Sequence, residues 1–158
     1  GQTISQPYIV ALMTQALELK PGMKVLEVGT GSGYQAALLA EITPRVYTIE
    51  VIRDLYETAK NRLKKLGYTS CEVRLGDGYY GLKDAAPFDR IIVTCAALHI
   101  PPPLWEQLSP GGRMVIPVGG PYEVQRLLLV SKDAAGRRSS RTLELVRFVP
   151  LVTDALGK

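Results

Sequence analysis

The sequence predicts an α/β fold: a doubly wound, mostly parallel sheet of about seven strands, with helices on both faces and an antiparallel hairpin closing the C-terminal edge. Three observations lead there. Short apolar runs alternate with amphipathic helical stretches through most of the chain, the pattern of βαβ units. The first run opens directly into a glycine loop followed by a helix, the place where such sheets bind ligands. The last two runs are joined by a polar, glycine-containing segment in place of a helix, which reads as a hairpin.

Taken in order, Pro7 to Leu19 carries Ile9, Val10, Met13, Ala16 and Leu17 at helical spacing, ended by Pro21-Gly22. Lys24 to Val28 is the first strand, and Gly29-Thr-Gly-Ser-Gly33 leads from it into a helix over Tyr34 to Glu41. Arg45 to Ile49 is the second strand; Ile52 to Leu66 is a long amphipathic helix with Gly67 as its C-cap. Cys71 to Leu75 and Arg90 to Thr94 are the third and fourth strands, Leu104 to Leu108 a short helix, and Arg113 to Val118 the fifth strand. Val124 to Ser131 and Leu143 to Val149 form the hairpin across Lys132 to Arg141. No internal repeat or linker interrupts residues 1–158, so one domain is expected.

Composition narrows the function classes. A chain of 158 residues that is 46% hydrophobic can bury a core unaided, which excludes disorder. Its apolar runs stop far short of the roughly 20 residues that cross a bilayer, and Gly1 to Ser5 is not a signal peptide. Two cysteines, Cys71 and Cys95, lack metal or CxxC spacing and fit a reducing compartment, so a cytoplasmic protein without a metal site is expected. The net charge of +4 is modest, and its basic clusters are not interleaved with aromatics, so nucleic acid is not an expected partner.

The chemistry gathers at the ends of the strands. A dinucleotide loop would place its third glycine at Tyr34, whereas here it is Gly33, which disfavours a bound pyrophosphate. Glu27, two residues before Gly29, suits a cationic ligand better than a phosphate. S-adenosylmethionine is such a ligand: it carries ammonium and sulfonium charges and a ribose diol, and no phosphate. Glu50, at the end of the second strand, is placed to accept from both ribose hydroxyls, and Asp77 in Gly76-Asp77-Gly78 from the adenine amino group. Each piece has a plainer reading, the loop as a tight turn, Glu50 as a helix-capping carboxylate and Gly76 to Gly78 as a turn. Their order on successive strand ends favours the site.

At these residues the sequence resembles the bacterial form of the protein-L-isoaspartate O-methyltransferase family. The resemblance rests on Gly1 to Pro7, Val25 to Ala37, Gly76 to Gly78, Ala86 to Asp89, Ile91 to Thr94, Gly111 to Gly119 and Val146 to Leu151. It implies a Rossmann-like class I methyltransferase fold and methyl transfer from S-adenosylmethionine to the free α-carboxylate of L-isoaspartyl residues in damaged proteins and peptides, leaving S-adenosylhomocysteine. It implies Ser5 as the active-site residue and Glu27, Gly29, Thr30, Gly31, Ser32, Gly33, Glu50, Val51, Asp77 and Gly78 as cofactor contacts. Thr3, Ile4, Ser5 and Thr153 would border the acceptor, and a monomer is expected. Members of the family carry an N-terminal helical segment before the Gly-Gln-Thr-Ile-Ser motif with which this sequence begins. The alternative expectations are therefore a cofactor-binding domain without turnover, or a methyltransferase acting on another substrate.

An α-carboxylate, with a reference pKa of about 3.3 to 3.7, is already a nucleophile at neutral pH, which accounts for a motif set with no general-base constellation. Ser5 reads as a group that positions the carboxylate, or else as the N-cap of the helix beginning at Pro7. His99, the one histidine, lies past the fourth strand and reads as a base or, more simply, a solvated loop residue, and Cys95 as a small core side chain.

Overall fold

The computed structural model describes residues 5–153. Its elements are α1 (Pro7–Leu17), β1 (Val25–Val28), α2 (Tyr34–Ala40), β2 (Val46–Glu50), α3 (Arg53–Lys65), β3 (Glu72–Leu75), a 3₁₀ turn at Gly78–Tyr80, β4 (Phe88–Val93), α4 (Pro102–Gln107), β5 (Leu108–Val118), β6 (Gln125–Lys132) and β7 (Arg138–Val146). The seven strands form one sheet in the order β3-β2-β1-β4-β5-β6-β7. Strands β1 to β5 run parallel, and β6 and β7 are antiparallel additions, as the alternation of elements predicts.

Strand alternation divides the core between the two faces of the sheet. Leu26, Val28, Ile91, Val93, Met114 and Ile116 pack on one face with Leu104 of α4, and Val25, Val46, Ile92, Val115 and Leu127 on the other with Met13 and Leu17 of α1. All four residues of β1 are buried, as a central parallel strand covered on both faces requires. No helix among the described residues is long and apolar enough to cross a membrane.

Strand β5 begins at Leu108, which pairs with Phe88 of β4, five residues before the expected Arg113, and two further boundaries differ from the sequence reading for identifiable reasons. Helix α1 stops at Leu17, with Glu18 left-handed at φ 49°, before the Pro21-Gly22 breaker is reached. Its last carbonyls are taken by guanidinium groups from the sheet: Arg90 donates to Leu17 and Glu18, and Arg113 to Ala16 at 3.2 Å. The hairpin turn is also tighter than Lys132 to Arg141. Asp133 accepts from the backbone N–H groups of Ala135 at 2.9 Å and Arg137 at 2.8 Å, so β7 begins at Arg138 and ends at Val146. Residues 147–149, expected within that strand, leave the sheet edge and turn over the end of β4.

Candidate active site

The direction of chain crossover reverses between β1 and β4, which are neighbours in the sheet, so the crevice at their carboxyl ends is the expected ligand position. The glycine loop lies there. The backbone N–H of Gly29 donates to the Ile49 carbonyl at 2.9 Å, tying the loop to β2. Gly29 has φ +97°, and a Cβ on it would sit 2.6 Å from Thr94 Oγ1, so both conformation and space demand glycine. Thr94 completes the lock, its hydroxyl donating to the Gly29 carbonyl at 2.7 Å. Gly78 similarly passes close under Val28, leaving no room for a side chain at the floor of the crevice.

Three carboxylate-bearing positions surround this loop, and each is held differently. Glu27 and Thr48 are register partners on β1 and β2, so their side chains meet on the α1 face of the sheet. Thr48 donates its hydroxyl to Glu27 Oε1 at 2.7 Å and lies 2.6 Å from Thr30 Oγ1, which links strand and loop. Glu27 is fully buried, and among the described residues its Oε2 has no hydrogen-bond partner. Burial pushes its carboxyl up to about 8, with the Thr48 hydrogen bond opposing and the nearby Glu50 charge adding. Glu27 is thus a buried group behind the loop, lining the hollow on that side of it.

Glu50 ends β2 with both oxygens occupied by backbone donors: Gly31 N–H on Oε1 at 2.9 Å, and Val51 and Ile52 N–H on Oε2 at 2.9 and 3.2 Å. It therefore holds the glycine loop and the turn before α3, whose N-cap position is taken by Ile52 with no side-chain capping bond, so the helix-capping reading does not hold. Asp77 caps the 3₁₀ turn, accepting from Tyr79 N–H at 2.9 Å. The Tyr79 hydroxyl lies 3.3 Å from His99 Nε2, which places the lone histidine in an exposed aromatic cluster beside the crevice.

Three hollows meet at Thr94. The first is lined by Val28, Gly29, Gly31, Ile49, Glu50, Val51, Ile52 and Gly78 on one side and by Thr94, Cys95 and Val149 to Val152 on the other. The second runs along the other side of the loop past Glu27, Thr30, Ser32 and Ser5. The third is bounded by Ser5, Gln6, Ile9, Thr94 and residues 145–149. Ser5 and Thr94 thus stand where the last two join. Ser5 does not cap α1; Gln6 occupies the N-cap position, with no side-chain capping bond. Thr153 lies just beyond the lining residues Val149 to Val152, and Thr3 and Ile4 fall outside the described residues. Ser32 Oγ accepts from Tyr34 N–H at 3.3 Å, and Gly33 is the left-handed N-cap of α2. Burial raises the Cys95 thiol to about 12, so it stays protonated and acts as packing.

Several contributors escape sequence reasoning. The wall formed by residues 148–151 is fixed by Gln125, which accepts from Phe148 N–H at 2.6 Å and donates to the Phe148 carbonyl at 3.1 Å. Ala96 N–H donates to Val149, and Leu151 N–H to Ala96, both at 2.8 Å. Thr94 had a legible signal, being the first polar residue after the apolar run of β4. Gln125 had none.

A cradle that excludes side chains at Gly29, a buried carboxylate with a vacant acceptor and an acidic residue ending β2 fit a cationic nucleoside without phosphate. Comparison with known proteins agrees with this. Residues 1–156 match the family model of protein-L-isoaspartate(D-aspartate) O-methyltransferase. Protein-L-isoaspartate O-methyltransferase 2 of Syntrophobacter fumaroxidans is 64% identical over 151 residues, covering 96% of this chain and 61% of that protein. The chain therefore spans about three-fifths of that relative's length. Among solved structures, a protein-L-isoaspartate O-methyltransferase superposes with a TM-score of 0.87 at 32% identity, covering 94% of this chain and 48% of the other. A Plasmodium falciparum protein assigned to the same activity, in complex with S-adenosyl-L-homocysteine, superposes at 0.83 with 25% identity, covering 98% and 78%.

Proposed function

The chain belongs to the protein-L-isoaspartate(D-aspartate) O-methyltransferase family, and on that premise we propose that it methylates the free α-carboxylate of L-isoaspartyl residues in proteins and peptides, using S-adenosylmethionine. When bound, S-adenosylmethionine supplies an electrophilic methyl group on a positively charged sulfur. The observation that carries the reading is the meeting of three hollows at Thr94, one on each side of the glycine loop and a third along residues 145–149, with Ser5 lining the last two. The cofactor and the acceptor thereby enter from different directions and face each other.

In this reading Gly29 to Gly33, Val51 and Gly78 form the cradle, and Asp77 holds the adenine. Glu50 holds the ribose. Three of the roughly four lone-pair directions of its carboxylate already accept N–H groups, so engaging both hydroxyls requires one of those bonds to open. The vacant Glu27 Oε2 faces the charged amino-acid end of the cofactor, where a cation would draw the carboxyl back to its ionised form.

The acceptor carboxylate needs no base, so the residues around it have to orient it and keep water from it. Ser5 donates its hydroxyl to one oxygen and leaves the other to attack. Thr3, Ile4 and Thr153 would border the same acceptor. The segment Val149 to Val152, pinned by Gln125 and Ala96, closes the crevice against solvent. The enzyme is proposed to act as a cytoplasmic monomer of one domain, without nucleic acid.

The test is to incubate an isoaspartyl peptide with the protein and S-adenosylmethionine and follow the products by chromatography. The expected result is a transient methyl ester that gives succinimide and then the normal aspartyl peptide. An isoaspartyl peptide that persists unchanged beside a protein that binds the cofactor would refute the assignment.

A further inference from the structure

We propose that the Arg147 guanidinium recognises the carboxylate of the methyl acceptor, an inference that rests on the acceptor class proposed above. Arg147 lines the hollow that also holds Ser5 and Thr94, and it is the one charged side chain lining it among the described residues. Its guanidinium has no hydrogen-bonded or ion-paired partner among those residues. Four other arginines are committed, Arg74 to Glu72 and Asp84, Arg113 to Glu18, Arg137 to Asp133 and Arg90 to the carbonyls ending α1, and none of the other arginines lines this hollow.

The backbone that carries Arg147 is held on both sides. Val146 pairs with Gln125 at the end of the sheet, and the buried Gln125 side chain grips Phe148 through both its N–H and its carbonyl. A free cation on a fixed stem suits the recognition of an anion by paired N–H donors. Glu50 stands on the cofactor side with its charge shared among backbone N–H groups, so a negatively charged acceptor entering by this hollow meets Arg147 as the charged side chain at its edge.

Recognition here also favours departure of the product. During transfer one carboxylate oxygen forms a bond to the methyl carbon as the bond from that carbon to sulfur breaks, with its electron pair left on sulfur. The acceptor becomes a neutral ester, and Arg147 loses its charge partner. An interaction made about equally with the substrate and the transition state, and lost only with the neutral ester, is expressed in KM and in binding rather than in kcat.

The experiment measures binding of fluorescent peptides to the protein saturated with S-adenosylhomocysteine. One peptide carries an isoaspartyl α-carboxylate and its twin the corresponding α-carboxamide. The wild-type protein should prefer the carboxylate by about tenfold, the effect of one hydrogen bond to a charged group. Arg147→Gln should erase the preference, and Arg147→Lys should restore part of it. In turnover, Arg147→Gln should raise KM about tenfold with kcat changed less than about twofold. Unchanged S-adenosylhomocysteine affinity verifies that the variants are folded. A preference that survives intact in Arg147→Gln overturns the inference while leaving the acceptor class standing. A wild-type protein that shows no preference and transfers no methyl group overturns the acceptor class, and the inference with it.

Discussion

Replacing Glu27 with glutamine should stabilise the ligand-free protein above neutral pH and flatten its stability profile. Glu27 is 0% exposed, and the vacancy at Oε2 means that one oxygen has lost water without gaining a donor. Its carboxyl is moved from 4.5 to about 8, chiefly by burial. Between those values the folded protein keeps a proton that the unfolded chain has released. The contribution is therefore fully present below the unfolded value and is lost as the pH rises through the folded one. At about 1.4 kcal/mol per pH unit of displacement, the whole effect is on the order of 5 kcal/mol, comparable with the total stability of a small domain. Urea unfolding at intervals from pH 5 to pH 9 measures it. The wild-type midpoint should fall steadily to about pH 8 and then level off as far as this group is concerned. Glu27→Gln should lose most of that slope with an unchanged m-value and exceed the wild type at pH 8.5. A slope that persists undiminished in the variant would refute the reasoning.

The same group predicts that cofactor binding at pH 7 releases most of a proton, because burial keeps the ligand-free carboxyl protonated there. Calorimetry in two buffers of different ionisation enthalpy reads this directly, and zero release would remove Glu27 from the cation site. Glu50→Ala should weaken S-adenosylmethionine binding by about tenfold or more, because it removes a ribose acceptor and frees the Gly31 amide; unchanged affinity in the same titration would end the ribose assignment. Ser5→Ala should lower turnover with cofactor affinity retained, since Ser5 lines the acceptor hollow and caps no helix. A stability loss without a change in turnover per folded molecule would return Ser5 to a structural role.

The parts of the fold that the sequence discloses are those where burial is one-sided or complete. Strands β1 and β4 are covered on both faces and read as apolar runs, and the glycine spacing after β1 marks the crevice. Strand β7 was placed too late because its first five residues are exposed on the sheet edge, where no apolar alternation is required. The depth of Glu27 is visible only once β1 is paired with β2, when register sets it against Thr48 under the helices. Gln125 clamps Phe148 across 23 residues of sequence and so fixes the backbone beside Arg147, a contact that no local pattern encodes. Glu50 was legible as an acidic strand end, but its three backbone donors depend on where the glycine loop folds back.

The central claim is methyl transfer to a carboxylate found only in isoaspartyl linkages, and labelled transfer tests it most directly. Labelled S-adenosylmethionine is offered to a peptide with one L-isoaspartyl residue and to its normal aspartyl twin, and the label is then challenged with mild base. The predicted result is base-labile label on the isoaspartyl peptide alone. Base-stable label, or equal label on the twin, would contradict the account.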